Sequence, residues 1–253
     1  MRSERLLGIE QYLYEKKTVT LDELCHVFDV SKNTIRRDIE VLVENPNIKK
    51  IYGGITVDGA APRGLISYER RNFVNTPSKT SIAKEAARFI EDGDIIFIDS
   101  GTTTARMLEF IKDKEITILT NNLEIIYGAI PYDNLTIITL SGVLRRDTLS
   151  FTGISATKTL EAYNIPKAFF AATGFSLSGA TNSSAEETAI KQMAIARSVQ
   201  RFLLADHTKY DVVSLLTYGE LADFQCLITD QEPPDSLCEE LKKLDTQVII
   251  AKH

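Results

Sequence analysis

Ser31-Lys32-Asn33-Thr34-Ile35-Arg36-Arg37-Asp38-Ile39-Glu40-Val41-Leu42 is the stretch on which the reading of this chain turns. Ile35, Ile39 and Leu42 recur at helical spacing and form one apolar face. Lys32, Asn33, Arg36, Arg37 and Glu40 fall on the opposite and flanking faces, and Ser31 is placed to cap the helix. Upstream, Asp29-Val30-Ser31 makes a tight turn after a short helix that buries Leu21, Leu24 and Phe28. Thr20-Leu21-Asp22-Glu23 opens that helix as a capping box, the Thr20 hydroxyl accepting from the Glu23 amide while the Glu23 carboxylate reaches back. Leu6, Ile9 and Leu13 mark a first amphipathic helix from about Ser3 to Lys16. Downstream, Ile48-Lys49-Lys50-Ile51-Tyr52, Gly53-Gly54 and Ile55-Thr56-Val57 read as a hairpin. Two helices, a tight turn and a third helix with a polar, basic outer face describe a helix-turn-helix, and the hairpin has the shape of a wing.

Arg36 and Arg37 can each offer a bidentate fork to guanine or phosphate, and Asn33 can read adenine. Lys49 and Lys50 on the hairpin would sit beside the DNA backbone. A helical hairpin with a merely solvated basic face is the competing reading at this point. The whole chain carries a net charge of −6, which by itself speaks against nucleic acid. Its distribution changes that: residues 1–75 hold 12 basic and 11 acidic side chains, and the remainder 17 and 24. Ser31 to Arg71 is more basic still, with eight positive and five negative side chains. A basic small head on an acidic body suits DNA contact, because affinity depends on charges at the phosphates.

Other classes are excluded by composition. A chain of 253 residues, 43% hydrophobic and 25% charged, has room for a small module and one larger globular domain. No apolar run approaches the roughly 20 residues needed to cross a bilayer, and Met1-Arg2-Ser3-Glu4-Arg5 does not open a secretory signal. Cys25, Cys226 and Cys238 form no C-x-x-C pair, and His26, His207 and His253 are scattered. These point to the cytoplasm, with no disulfide framework, metal or cofactor expected.

From Asp58 to about Ser78 periodicity lapses: Gly59, Pro62, Gly64 and Pro77 are breakers, with Arg63, Arg70 and Arg71 among them. The expected organisation is a winged helix-turn-helix at 1–57, a linker at 58–78 and a larger domain at 79–253. In that domain, strands are expected at Asp94–Asp99, Ile116–Leu119, Leu135–Leu140, Ala168–Ala172, Phe202–Ala205, Cys226–Thr229 and Gln247–Ile250. Helices alternate with them at Ser81–Glu91, after Asp99 to Lys112, and at Leu123–Ile130, Ser155–Tyr163, Ala185–Val199 and Asp235–Leu244. Such alternation predicts an α/β fold with a mainly parallel sheet.

Ligands of open parallel sheets settle at the carboxyl ends of strands, above all where the strand order switches. Asp99-Ser100-Gly101-Thr102-Thr103-Thr104 links a strand to a helix. Gly101 permits the turn, and the N–H groups of Thr102 to Thr104 become donors suited to a phosphate dianion. Simple helix capping by Asp99 and the threonines is the alternative. Thr120-Asn121-Asn122, Ser141-Gly142-Val143-Leu144-Arg145-Arg146, Thr173-Gly174 and Asp206-His207-Thr208-Lys209 end further strands. One such cation is commonly solvated surface, but several polar termini after successive strands indicate an anionic ligand.

Arg5, Ile9 and Leu13, followed by Ser31-x-x-Thr34-Ile35-Arg36-Arg37-Asp38-Ile39, resemble the helix-turn-helix signature of the DeoR family of sugar-metabolism repressors. Lys50-Ile51-Tyr52-Gly53-Gly54 is similar to the basic segment ending in Gly-Gly that follows in that family. The resemblance implies operator DNA as partner, contacted by Lys32, Asn33, Thr34, Arg36, Arg37, Lys49 and Lys50. Lys79 with Ile82-Ala83, the Asp99–Thr104 loop, Thr120-Asn121, Gly142 with Arg145, Gly153 and Leu204-Ala205-Asp206-x-x-Lys209 resemble the family's effector domain. That domain is similar in fold to ribose-5-phosphate isomerase and glucosamine-6-phosphate deaminase. The resemblance implies an effector phosphate held by the Asp99–Thr104 loop, with Asn121, Arg145 and Lys209 near the sugar part. Lys79, Thr173 and Gly174 complete the candidate set. Ser141-Gly142 stands where many relatives have Gly-Gly, a departure beside Arg145. Tyr163-Asn164-Ile165 with Lys167-Ala168-Phe169, and Leu215-Leu216-Thr217-Tyr218, narrow the likeness to the branch repressing myo-inositol catabolism. There the implied inducer is a phosphorylated keto-deoxy sugar acid. Family likeness also implies a homodimer or homotetramer.

A sugar-phosphate isomerase or deaminase carrying a DNA-binding head is the competing reading. Asp99, Glu186, Glu187 and Asp206 are available carboxylates and His207 could titrate, but no familiar catalytic carboxylate motif appears. The expected function is a regulator, not an enzyme.

Overall fold

The computed structural model describes residues 2–45, 47–58, 68–73 and 75–252. The chain divides into two compact units, Met1–Val74 and Asn75–His253.

The first unit runs α1 (Arg2–Lys16), β1 (Thr18–Thr20), α2 (Leu21–Phe28), α3 (Lys32–Leu42), β2 (Ile48–Ile51), β3 (Gly54–Val57) and α4 (Tyr68–Phe73). Ile9 and Leu13 of α1, Leu24 of α2 and Ile35, Ile39 and Leu42 of α3 close on one another with Val19, Ile48, Ile55 and Val57 of the strands. Asp29, in the left-handed conformation at φ 49°, stops α2. Ser31 then caps α3, its hydroxyl accepting from Thr34 N at 3.3 Å. Thr20 caps α2 by accepting from Glu23 N at 3.1 Å. The other half of the expected capping box is replaced: Glu23 Oε1 accepts instead from Tyr12 Oη on α1, at 2.7 Å.

The wing is three-stranded, in the order β1-β3-β2, all antiparallel. Gly53 turns it at φ 78°, while Gly54 lies so close to β1 that a Cβ would stand 2.1 Å from Val19 O. The β1 strand is three residues long, too short for alternation to announce it. Of the expected linker, Gly59, Pro62, Arg63 and Gly64 lie outside the described residues. Tyr68–Phe73, expected to be linker, is instead the short helix α4, with Tyr68 buried.

The second unit opens with α5 (Thr76–Ala86), five residues earlier than expected at Ser81. Pro77, expected to break structure, is its second residue, where a missing N–H costs no helical hydrogen bond. There follow β4 (Ile95–Ile98), α6 (Thr102–Ala105), α7 (Leu108–Ile111), β5 (Ile116–Thr120), α8 (Leu123–Ala129) and β6 (Leu135–Thr139). A hairpin, β7 (Val143–Arg145) and β8 (Ser150–Thr152), leads to α9 (Ile154–Glu161) and β9 (Ile165–Ala171). Then come β10 (Gly174–Ser176), β11 (Gly179–Asn182), α10 (Ala185–Arg197), β12 (Ser198–Leu204) and β13 (Leu216–Gly219). The unit ends with β14 (Cys226–Thr229), α11 (Asp235–Lys243) and β15 (Gln247–Ile250).

Seven strands form one parallel sheet in the order β15-β14-β12-β9-β4-β5-β6. Both faces are covered, which is why its strands read as apolar runs and not as alternation. Phe97 and Phe170 enter the core on the face of α9, α10 and α11. Ile96, Ile98 and Phe169 enter the core on the face of α5 and α8. The chain lays down β4, β5 and β6 in one direction, then returns to place β9 on the other side of β4 and continues through β12, β14 and β15. The strand order therefore switches between β4 and β9. A small antiparallel sheet, β10-β11-β13, accompanies the carboxyl end of β9.

Candidate functional site

The head presents its polar groups as the spacing required. Asn33, Arg36 and Arg37 are exposed on α3, opposite the buried Ile35, Ile39 and Leu42. Thr34 is half-buried beside Ser31, the two hydroxyls 3.0 Å apart, so it serves the helix cap. Lys32 Nζ stands 2.5 Å from Asp22 Oδ1 of α2. Lys49 of the wing pairs with Asp58, and Lys50 is exposed. Tyr52, not singled out by sequence, is fully exposed at the wing tip. Arg5 and Asp38 have another task. Asp38 is 1% exposed, and Arg5 donates to both its oxygens, Nε to Oδ2 at 2.6 Å and Nη2 to Oδ1 at 3.3 Å. The hydrogen bond to Asp38 raises the Arg5 guanidinium further above its ordinary range. This pair fixes α3 against α1, and so sets the angle at which the exposed face is offered.

In the second unit the switch point between β4 and β9 is built around Asp99. Its Oδ1 accepts from Gly101 N at 3.0 Å and Thr104 Oγ1 at 2.6 Å. Its Oδ2 accepts from Ala171 N across the switch at 2.8 Å, and from the ammonium of Lys191. A carboxylate has about four acceptor positions, and all four are taken. Lys191, 4% exposed, also donates to Ala171 O at 2.9 Å and lies 4.9 Å from the Tyr218 ring centre. Tyr218 Oη donates to the same carbonyl at 2.9 Å. Burial, helped by Asp99, pushes the Tyr218 phenol well above its ordinary range. A buried Asp99–Lys191 ion pair thus forms the floor of the switch point.

Above that floor, Gly101 comes so near β9 that a Cβ would stand 2.2 Å from Ala171 Cβ. Thr104 is spent on Asp99, whereas the hydroxyls of Thr102 and Thr103, residues 6% and 5% exposed, have no partner among the described residues. The helix they begin is shorter than expected: the run to Lys112 is split at Arg106 and Met107 into α6 and α7, four residues each. One turn builds little macrodipole, so any anion there would rest on N–H groups and hydroxyls. Asn122 braces the loop, its Nδ2 donating to Asp99 O at 3.2 Å.

The remaining candidates separate clearly. Asn121, 1% exposed, donates Nδ2 to Phe151 O at 3.2 Å and leaves Oδ1 without a partner. Arg145, expected to offer a guanidinium to an anion, is already held by two carboxylates. Its Nε and Nη2 reach Asp147 at 3.0 and 2.8 Å, and Nη1 reaches Glu186 at 3.1 Å. The hydrogen bond to Asp147 raises its pKa further. Thr173 donates to Asn182 Oδ1 at 3.3 Å, and Gly174 packs against Val212 O, where a Cβ would be at 2.1 Å. Both shape the small sheet. Lys79 is buried on α5. Lys209, half-buried in the 3₁₀ turn His207–Lys209 after β12, has no side-chain partner among the described residues. Asp206 beside it accepts at Oδ1 from Asn75 Nδ2 and Thr208 N, each at 3.1 Å, and its buried Oδ2 has no partner.

Lys191 was not legible as a site residue, and Glu187 was noted only as an available carboxylate. Glu187, 4% exposed, accepts from Ser100 and Ser150, both at 2.8 Å, and from Asn182 at 3.3 Å. The available signal was position: 187 and 191 are one helical turn apart on the face of α10 that buries Ile190 and Ala194. Charges on an apolar stripe imply buried partners. Among the described residues no group of three or more histidine, cysteine or acidic side chains could hold a metal. No helix is long and apolar enough to cross a membrane.

Residues 5–60 match the family model described as DeoR-like helix-turn-helix domain, and residues 74–231 that of the DeoR C terminal sensor domain. The chain is 43% identical to the HTH-type transcriptional regulator IolR of Bacillus subtilis, over 93% of this chain and 94% of that one. It is 28% identical to the lactose phosphotransferase system repressor of Staphylococcus aureus, over 93% and 95%. Ribose 5-phosphate isomerase A of Neisseria gonorrhoeae is a structural neighbour at TM-score 0.39 and 18% identity, covering 54% of each chain. The chain belongs to the DeoR family of helix-turn-helix transcription regulators.

Proposed function

We propose that this regulator is a repressor of sugar or polyol catabolism whose sensor crevice binds a phosphorylated sugar or sugar acid, releasing the operator. The observation that carries the reading is a division of labour at the switch point. Asp99 is wholly engaged within the protein, while Thr102, Thr103, Asn121 and Lys209 keep polar groups that the protein leaves unused. In this reading the Ser100–Thr104 backbone and the two threonine hydroxyls take the phosphate, and Asn121 and Lys209 face the carbon chain. Arg145, neutralised by Asp147 and Glu186, contributes shape and not charge. A homodimer or homotetramer would present paired heads to repeated half-sites, and effector binding would favour a geometry that breaks the match. The resemblance to the myo-inositol branch supports a polyol pathway.

Operator release, followed by gel shift over an effector titration with product analysis of the same samples, tests this. Thr103→Glu puts a carboxylate where the phosphate would sit. Two like charges at close range repel by roughly 4 kcal/mol at an effective dielectric near 20. That weakens the effector by about a thousandfold, so the variant stays on its operator where the wild type leaves. Thr103→Val, of similar size, should retain the fold and weaken release more mildly. No substrate conversion is expected. Release of both variants at the wild-type effector concentration would place the phosphate elsewhere, and multiple turnovers would make the protein an enzyme.

A further inference from the structure

A seven-stranded sheet has two ends, and the two ends of this one are finished differently. At one end, β15 leads directly into Ala251 and Lys252. Gln247 N and Ala251 N both donate inward, to Gln225 O at 2.9 Å and Thr229 O at 2.7 Å. Backbone groups alternate in direction along a strand, so Val248, Ile250 and then Lys252 form the outward row. A lysine on that row guards the edge against a second strand.

The other end, β6, has no such guard. Leu135–Thr139 contains no charge and no proline, and its register with β5 runs without a bulge from Ile116↔Leu135 to Thr120↔Thr139. Leu140 N donates inward to Thr120 O at 2.9 Å. By the same alternation, Leu135, Ile137 and Thr139 turn their backbone groups outward, away from the sheet. Edges this plain template pairing with another strand unless something covers them.

The surface beside that edge is apolar as well. Leu135, Ile137 and Thr139 form one wall of a groove, and Ile126, Ala129 and Ile130 form the other. Tyr127 in α8 and Ile130 at its end are 74% and 71% exposed. The one charge lining the groove is Asp133.

What covers this face must bring a strand edge of its own and no charge to bury. A second copy meets both conditions. Let two β6 strands run antiparallel about a two-fold axis at Ile137. The N–H and C=O of Ile137 then meet those of its own counterpart, and Thr139 N meets the counterpart of Leu135 O. Leu135 N, which already donates to Tyr132 O at 3.1 Å, is not needed. Asp133 falls opposite the counterpart of Ser141, and the two Asp133 carboxylates stand roughly 27 Å apart along the strands. Like charges therefore do not meet. Pairing β6 with β15 of another copy would instead be head to tail, growing without closure, with Lys252 at the seam.

We infer that β6, with α8 beside it, is the interface through which two copies of this chain join, running their seven-stranded sheets into one. This rests on the proposed self-assembly and names the surface that serves it; the effector site plays no part.

Sedimentation velocity and hydrogen exchange of the full-length protein test this. Thr139→Pro removes an outward N–H that the single chain does not use, at an exposed position where an edge strand tolerates proline. Ile130→Glu places a charge on the groove wall, at a site exposed in the single chain. Each should halve the mass of the assembly at micromolar protein. Ile250→Glu, on the opposite edge and 41% exposed, should leave the mass unchanged. Amide exchange across Leu135–Leu140 should slow as wild-type concentration rises, and should not in Ile130→Glu. Should Thr139→Pro unfold, Ile130→Glu and the exchange measurement decide. Unchanged mass in both β6-side variants overturns the inference and leaves assembly through another surface standing. Halving by Ile250→Glu alone overturns it in favour of β15. A monomeric wild type refutes this inference and self-assembly together, with effector-controlled DNA binding untouched.

Discussion

Arg36 and Arg37 differ from Lys49 in what they are free to do. The arginines are exposed on the outer face of α3, whereas Lys49 already has a carboxylate partner in Asp58. Arg36→Ala or Arg37→Ala should cost on the order of 1–3 kcal/mol at the operator, with sequence preference relaxed. Lys49→Ala should weaken all sequences alike and make the dependence on salt shallower. Gel shifts at several salt concentrations separate the two, and unchanged operator affinity in the double arginine variant would refute the assignment. At the other end of the chain, burial works to raise the Asp230 carboxyl. Hydrogen bonds from the His207 ring, Ser78 and His207 N outweigh it and hold the group below its usual range. A depressed carboxylate contributes stability that is complete above its unfolded pKa, near 3.9, and lost as pH falls through the lower folded value. The unfolding temperature of the wild type should therefore drop steeply below about pH 4. Asp230→Asn should start lower and show a flatter acid limb.

At the scale of elements, the wing rests on two glycines with opposite demands. Gly53 needs a backbone of positive φ but has open space around it, so Gly53→Asn should be nearly neutral. Gly54 has an ordinary backbone but no room, since a Cβ would meet Val19 O. Gly54→Ala should cost about 1–3 kcal/mol by overpacking, read as a lower unfolding temperature of the head with weakened operator binding. Equal effects from the two substitutions would contradict this account. The same contrast explains what could be read in advance. Helices α1 to α3 were legible because Ile9, Leu13, Ile35 and Ile39 repeat a helical period, and the parallel strands because runs such as Ile95–Ile98 are apolar throughout. The hairpin β7–β8 and the sheet β10-β11-β13 were not, being three- and four-residue strands too short for a period to show. Asp99 was read as part of a ligand loop, whereas its partner Lys191 lies 92 residues on, beyond any local pattern.

Over the whole molecule, the two units differ in how far apart their necessary residues are. The apolar cluster of the head spans Ile9 to Val57. The crevice floor spans far more: Asp99 waits for Ala171, then Lys191, then Tyr218. At a synthesis rate of about 5–20 residues per second, roughly 6 to 25 seconds separate the emergence of Asp99 from that of Tyr218. During each round of translation there is thus an interval in which a nascent chain already carries a finished reading head and still lacks the closed switch point of its second unit. A chain interrupted before Tyr218 would remain so permanently.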